Sequence, residues 1–230
     1  DPASPLDPDG TQADMGAFAT DQTNPVSGTI TTTTWIAAES PYHVTDTVTV
    51  PTGNTLTIEP GVDVLFNADV PFVVLGKLNA TGTETDSIRF LAGSSPEWYG
   101  MQITGGDTSV MAYVRIGGGN ADVAGADGGG ILLANGATHL TMNNSVISGN
   151  AASDDGGGVY NGGATVVFTD CDISHNTTGV DGGGLQNNYG TMTLTGCVVE
   201  GNSNGDWGGG LRNHTGTVTL TKTAFINNNG

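Results

Sequence analysis

The stretch GGGLQNNYGTMTLTGCVVEGN, residues 182–202, holds its apolar side chains at alternate positions. Met192 and Leu194, then Cys197 and Val199, follow a period of two, which is the period of a strand and not of a helix. A triple glycine opens the stretch, and glycine and asparagine punctuate it, so short strands are separated by tight turns. Such strands are too short to fold alone and must be covered by something of the same length.

The covering units lie on either side in the chain. GGGLRNHTGTVTLTKTAFINN (208–228) follows at an interval of twenty-six positions, and GGGVYNGGATVVFTDCDISHN (156–176) precedes it at the same interval. GGGILLANGATHLTMNNSVISGN (128–150) comes before that, with its glycine triplet slipped by two residues. The apolar positions are read as keeping the one interval through all four units: Leu133, Val159, Leu185, Leu211; Leu140, Val166, Met192, Val218; Met142, Phe168, Leu194, Leu220; and Ile147, Ile173, Val199, Phe225. Two asparagine series are read the same way: Asn135, Asn161, Asn187, Asn213 and Asn150, Asn176, Asn202, Asn228.

Glycine and β-branched content exclude a helical solenoid, and the unit is too short for a four-stranded propeller blade. What remains is a parallel β-helix, in which each strand stacks on its equivalent about 4.8 Å away. Inward asparagines at the coil corners then serve the turn backbone and one another in a dry interior. This role makes the sequons at Asn176 and Asn213 poor glycosylation sites, and leaves those at Asn79 and Asn143 open. Ser145, Cys171, Cys197 and Thr223 form one more row, so the two cysteines are expected as stacked thiols on neighbouring coils. A disulfide and a pair of free buried thiols both fit that spacing.

The chain has 230 residues, 38 of them glycine, and 23 acids against 5 bases, a net charge of −18. So few cations argue against nucleic acid as a partner, and the negative charge argues against anionic membrane surfaces. No apolar run is long enough for a membrane-spanning helix, so membrane insertion is not expected. The balance suits divalent cations and an extracellular or cell-surface setting.

Residues 29–127 keep the strand grammar without the strict period. TVTVPTGNTLTIEPGVDVLFNADVPFVVLGKLNATGTETDSIRFLAG alternates apolar and polar residues between PTGN, EPG and GTETD turns. This half resembles the leading coils of secreted bacterial and archaeal right-handed parallel β-helix proteins. The GGG-plus-Asn units are similar to the repeats of autotransporter-like surface proteins. The resemblance implies an all-β, single-domain, right-handed parallel β-helix of about seven or eight coils over residues 28–230, preceded by an extended segment over 1–27. It says little about activity, because the fold carries both enzymes and inert stalks.

The chemistry of a polysaccharide lyase or hydrolase is not visible. Lyases of this fold pair calcium aspartates with a basic residue; of the bases Lys77, Arg89, Arg115, Arg212 and Lys222, only Arg212 and Lys222 fall within the strict repeat, and neither has an acidic cluster beside it in sequence. Asp154-Asp155 is the single acidic doublet and reads as a solvated turn. His43, His139, His175 and His214 share no metal-ligand spacing. An enzyme is therefore not expected. Trp98, Tyr99, Tyr160, Tyr189 and Trp207 are the aromatics that could face extracellular glycans in an adhesin or glycan-binding stalk.

The N-terminal phrase DPDGTQADMGAF (7–18) resembles a motif that closes the last coil of bacterial surface β-helices, here standing before the coils. Asp7, Asp9, Thr11 and Asp14 offer alternating oxygen ligands around Gly10, and calcium is the cation they suit. One reading makes residues 1–20 the end of a preceding domain in a tandem array. The other makes the segment a donor that closes the open C-terminal coil of a neighbour, with Met15, Ala17 and Phe18 meeting Phe225 and Ile226. The second predicts a head-to-tail homopolymer forming filaments or surface matrix.

Overall fold

The computed structural model describes residues 24–134, 136 and 138–230. The expected calcium ligands Asp7, Asp9, Thr11 and Asp14, the contact residues Met15, Ala17 and Phe18, and the ladder residue Asn135 lie outside the described residues.

Between residues 33 and 226 the chain winds through about seven turns of a parallel β-solenoid. His139–Asn143 lies on Thr165–Thr169, which lies on the second half of Leu185–Thr195, which lies on the second half of Leu211–Thr221. Val146–Ser148, Asp172–Ser174, Val198–Glu200 and Ala224–Ile226 form the next face in the same order. Alternation dictates this outcome. In Thr165–Thr169 the residues Val166 and Phe168 are fully buried, while the intervening threonines and Val167 face outward, where β-branched side chains suit a pleated surface.

The leading coils vary in length. Tyr42 pairs with Val64 and Thr108 with His139, so the later of these two coils is longer by more than a third. Aromatic rings fill this part of the core: Phe66 stacks on Trp98 at 3.9 Å, Trp35 on Tyr42 at 4.6 Å, and Phe72 meets Phe90 edge-on at 5.5 Å. Trp98 is fully buried and donates its indole N–H to the Gly117 carbonyl, which corrects its reading as an exposed, glycan-facing ring.

The first strict unit also differs from expectation. Ile131, not Leu133, stands opposite Val159, and Leu133 stands opposite Asn161. The glycine triplets hold register and the two extra residues are absorbed between Leu133 and His139. The reason is steric. A Cβ on the middle glycine would lie 1.9 Å from the Ala151 carbonyl oxygen at Gly129, 2.1 Å from that of Thr177 at Gly157, and 2.3 Å from that of Ser203 at Gly183. Only glycine fits there, and backbone hydrogen bonds then tie triplet to triplet, from the Gly130 N–H to the Gly157 carbonyl and from the Gly158 N–H to the Gly183 carbonyl, both at 3.2 Å, so an apolar match two residues away cannot compete. The series Leu133, Val159, Leu185, Leu211 therefore starts at Ile131, and the coil above Asn161 carries a leucine where Asn161 would look for an amide.

Candidate functional site

The asparagine rows are the most completely satisfied polar groups of the interior. Asn176 Oδ1 accepts from the backbone N–H and the Nδ2 of Asn150 at 3.0 and 2.9 Å, while its own Nδ2 donates to the Ile147 carbonyl at 3.0 Å. Asn202 repeats the pattern toward Asn176, and Asn228 toward Asn202. In the other row Asn161 Nδ2 donates to Asn187 Oδ1, and Asn187 Nδ2 to Asn213 Oδ1, both at 2.8 Å; each amide also closes its own corner on Ala164, Gly190 or Gly216. These rows hold the corners, and their amides are committed to structure.

Cys171 and Cys197 are free, buried and adjacent on successive coils; Cys171 Sγ faces the Met142 and Thr169 carbonyls, both at 3.4 Å, and Cys197 Sγ faces that of Thr195 at 3.5 Å. The neighbouring thiol holds Cys197 below the ordinary range, and the neighbouring thiol together with burial pushes Cys171 up.

A column of carboxylates, not expected from the sequence, runs along one side of the solenoid, and the signal that marks it is that each member immediately precedes a glycine triplet. Asp127, Asp155 and Asp181 stand on successive coils, each capping the turn of the next: Asp127 Oδ1 accepts from the Asp155 N–H at 3.2 Å, Asp155 Oδ1 from the Asp181 N–H at 3.2 Å, and Asp181 Oδ1 from the Trp207 N–H at 3.1 Å. The second oxygens of the later two are met diagonally. Gln186 Nε2 donates to Asp155 Oδ2 at 3.3 Å, and Arg212 pairs with Asp181 Oδ2. Burial, opposed by the N–H of Asp155 and reinforced by the charges of Asp155 and Asp154, raises Asp127 to about 6. Asp155 is raised by burial and by the charges of Asp154 and Asp181. It is a half-buried structural acid, and the solvated-turn reading of the doublet is corrected for this residue. Arg212 likewise has an acidic partner after all, placed there by the coil and not by local sequence.

At the foot of the column the Arg212 guanidinium lies 5.3 Å from the centre of the Trp207 ring, which is 66% exposed. Tyr189 is 69% exposed and tilts toward His214, while Tyr160 is half-buried with its hydroxyl accepting from Asn188 Nδ2 at 3.1 Å. Elsewhere Asp69, Glu97 and Asp122 bring carboxylate oxygens within 4.8 Å of one another, a set that could supply hard oxygen ligands to a cation. Burial and the charges of Asp122 and Glu97 raise Asp69. A shallow groove of about 420 Å³ sets Arg115 among Glu84, Asp170 and Asp172.

The coil of residues 211–229 is the last described. Leu220 and Phe225 are 48% and 42% exposed, whereas Leu194 and Val199, their equivalents one coil earlier, are fully buried. Ile226, expected beside Phe225 in a docking contact, lies in the row of Ser148, Ser174 and Glu200 and not in the core row of Ile147, Ile173 and Val199.

Comparison with protein-family models, with curated proteins and with solved structures found no match to this chain.

Proposed function

We propose that this protein is a non-enzymatic, extracellular structural β-helix that assembles head to tail, the segment 7–18 of one copy closing the coil 211–229 of another. The observation that carries the reading is the phrase of residues 7–18, in which an Asp-rich stretch is followed by Met15, Ala17 and Phe18, apolar side chains of the kind that fill the core rows of Leu194 with Leu220 and of Val199 with Phe225. A parallel coil with free strand edges adds a strand from another chain, and a donor segment would extend these rows in register. Met15, Ala17 and Phe18 supply apolar side chains to lie on them, and Asp7, Asp9, Thr11 and Asp14 would hold the adjoining turn around a calcium ion. The net charge of −18 keeps such a polymer soluble in saline surroundings and favours calcium as its linker.

The test compares the full chain with one lacking residues 1–24, by electron microscopy and light scattering, with calcium and with a chelator. The full chain should form head-to-tail oligomers that shrink on chelation, and the truncated chain should remain monomeric. Oligomers of equal length from the truncated chain would overturn the reading.

A second reading is favoured by Trp207, whose exposed ring is held from behind by Arg212. A fixed aromatic face beside the carboxylate column suits a neutral glycan and disfavours a polyanionic one, and would make the solenoid an adhesive stalk.

A further inference from the structure

Four successive turns are built alike and end in the row Ser145, Cys171, Cys197 and Thr223. The residue before each has left-handed backbone: Asn144 at φ 47°, Asp170 at 51°, Gly196 at 68° and Lys222 at 49°. In each turn the side chain then folds back on the carbonyl two residues earlier. Ser145 Oγ donates to Asn143 at 2.7 Å and Thr223 Oγ1 to Thr221 at 3.2 Å, while Cys171 Sγ faces Thr169 at 3.4 Å and Cys197 Sγ faces Thr195 at 3.5 Å.

A hydroxyl does this work better than a thiol, which is a weak donor. The turn therefore gives no reason for cysteine, yet cysteine fills two rungs that touch. Between those rungs the coils are in tight register, with the Val198 N–H donating to the Cys171 carbonyl at 2.9 Å. Parallel neighbours about 4.8 Å apart fall inside the Cα span of a disulfide. The two side chains occupy the same place in successive turns, and both residues are 2% exposed or less, so each thiol has the other as its neighbour across the coil.

We infer that Cys171 and Cys197 are a cross-coil redox clip, a dithiol that closes to an intramolecular disulfide with a small disulfide such as oxidised glutathione as the electron acceptor. Cys197, as the thiolate, attacks one sulfur of the oxidant and displaces the first thiol. Cys171 then loses its proton, attacks Cys197 Sγ and displaces the second. Two thiols become one disulfide, the oxidant becomes two thiols, and the two protons leave with them. The bond ties each of two successive coils to the other, so neither can open alone.

The experiment equilibrates the folded protein with reduced and oxidised glutathione and, in parallel, refolds it into the same buffers. Intact mass, alkylation under denaturing conditions and peptide mapping are the readouts. In oxidising buffer the monomer should lose about 2 Da, both alkylatable thiols should disappear, and a Cys171–Cys197 linked peptide should appear. Cys171→Ser and Cys197→Ser, which place at each rung the residue found at 145, should keep one thiol or take up a single glutathione. Two alkylatable thiols remaining in the wild-type chain after both treatments, or a bond found only between chains, would overturn the inference.

Discussion

Arg212 closes onto Asp181 of the preceding coil, so the charge of one turn is answered by the strand of the next. The Asp181 side chain is 7% exposed and the arginine 21%, so neither is free to find another partner in water.

Replacing Arg212 by Ala strands the Asp181 carboxylate in a low-dielectric site and should cost about 2 kcal/mol, below the range for a fully buried pair because the arginine is part-exposed. Arg89→Ala, which breaks a pair 49% exposed on the arginine side, should cost no more than about 0.5 kcal/mol. Asp181→Asn combined with Arg212→Gln keeps the acceptor for the Trp207 N–H and should recover part of the loss. Urea unfolding of these variants beside the parent chain reads all of this, and amide exchange should place the Arg212 effect in residues 205–229.

The Asp127 carboxyl titrates near 6 in the folded chain, above its ordinary 3.8. The folded state therefore holds a proton that the unfolded state has lost between those two values. Stability should rise as pH falls through about 6, be gained in full below about 4 in respect of this group, and be lost again as pH rises. Asp155, raised for the same cause, should add to the slope. Asp127→Asn keeps the acceptor for the Asp155 N–H without the charge. It should raise the unfolding temperature at about pH 7.5 and flatten the profile between about pH 5 and 7, as followed by circular dichroism.

Asn176→Ala removes the oxygen that meets two donors of Asn150 and the amide that meets the Ile147 carbonyl. With all of these groups buried, the loss should be about 3 kcal/mol. Asn228→Ala removes the same bonds from a half-exposed rung where water can replace them, and should cost about 1 kcal/mol. Equal losses for the two in urea unfolding would show that the ladder acts through packing and not through hydrogen bonds.

Much of this architecture is legible because identical rungs must repeat at one interval, and Asn150 and Asn176 stand one period apart, as do Cys171 and Cys197. What the rows do not display lies on diagonals. Arg212 reaches Asp181 and Gln186 reaches Asp155 across one coil plus five residues, a spacing that the period supplies only once side-chain reach is added. The burial of Trp98 is hidden because coil length in the leading part varies, as the pairings of Tyr42 with Val64 and of Thr108 with His139 show, so no index says which way a residue faces there. Leu133 stands opposite Asn161 and not Val159 because the glycine triplets, and not apolar identity, set the register of this coil.

The corner between Leu133 and His139 shows what that decision allows. Five residues occupy it, where residues 162–164 suffice one coil later, yet His139 still stands opposite Thr165 and Ile131 opposite Val159. Length can thus be added at one vertex of the polygon without disturbing any stacked edge. The solenoid behaves as a rigid frame with a tolerant point for growth, where a new loop could be grafted and displayed from the side while the coils above and below keep their count.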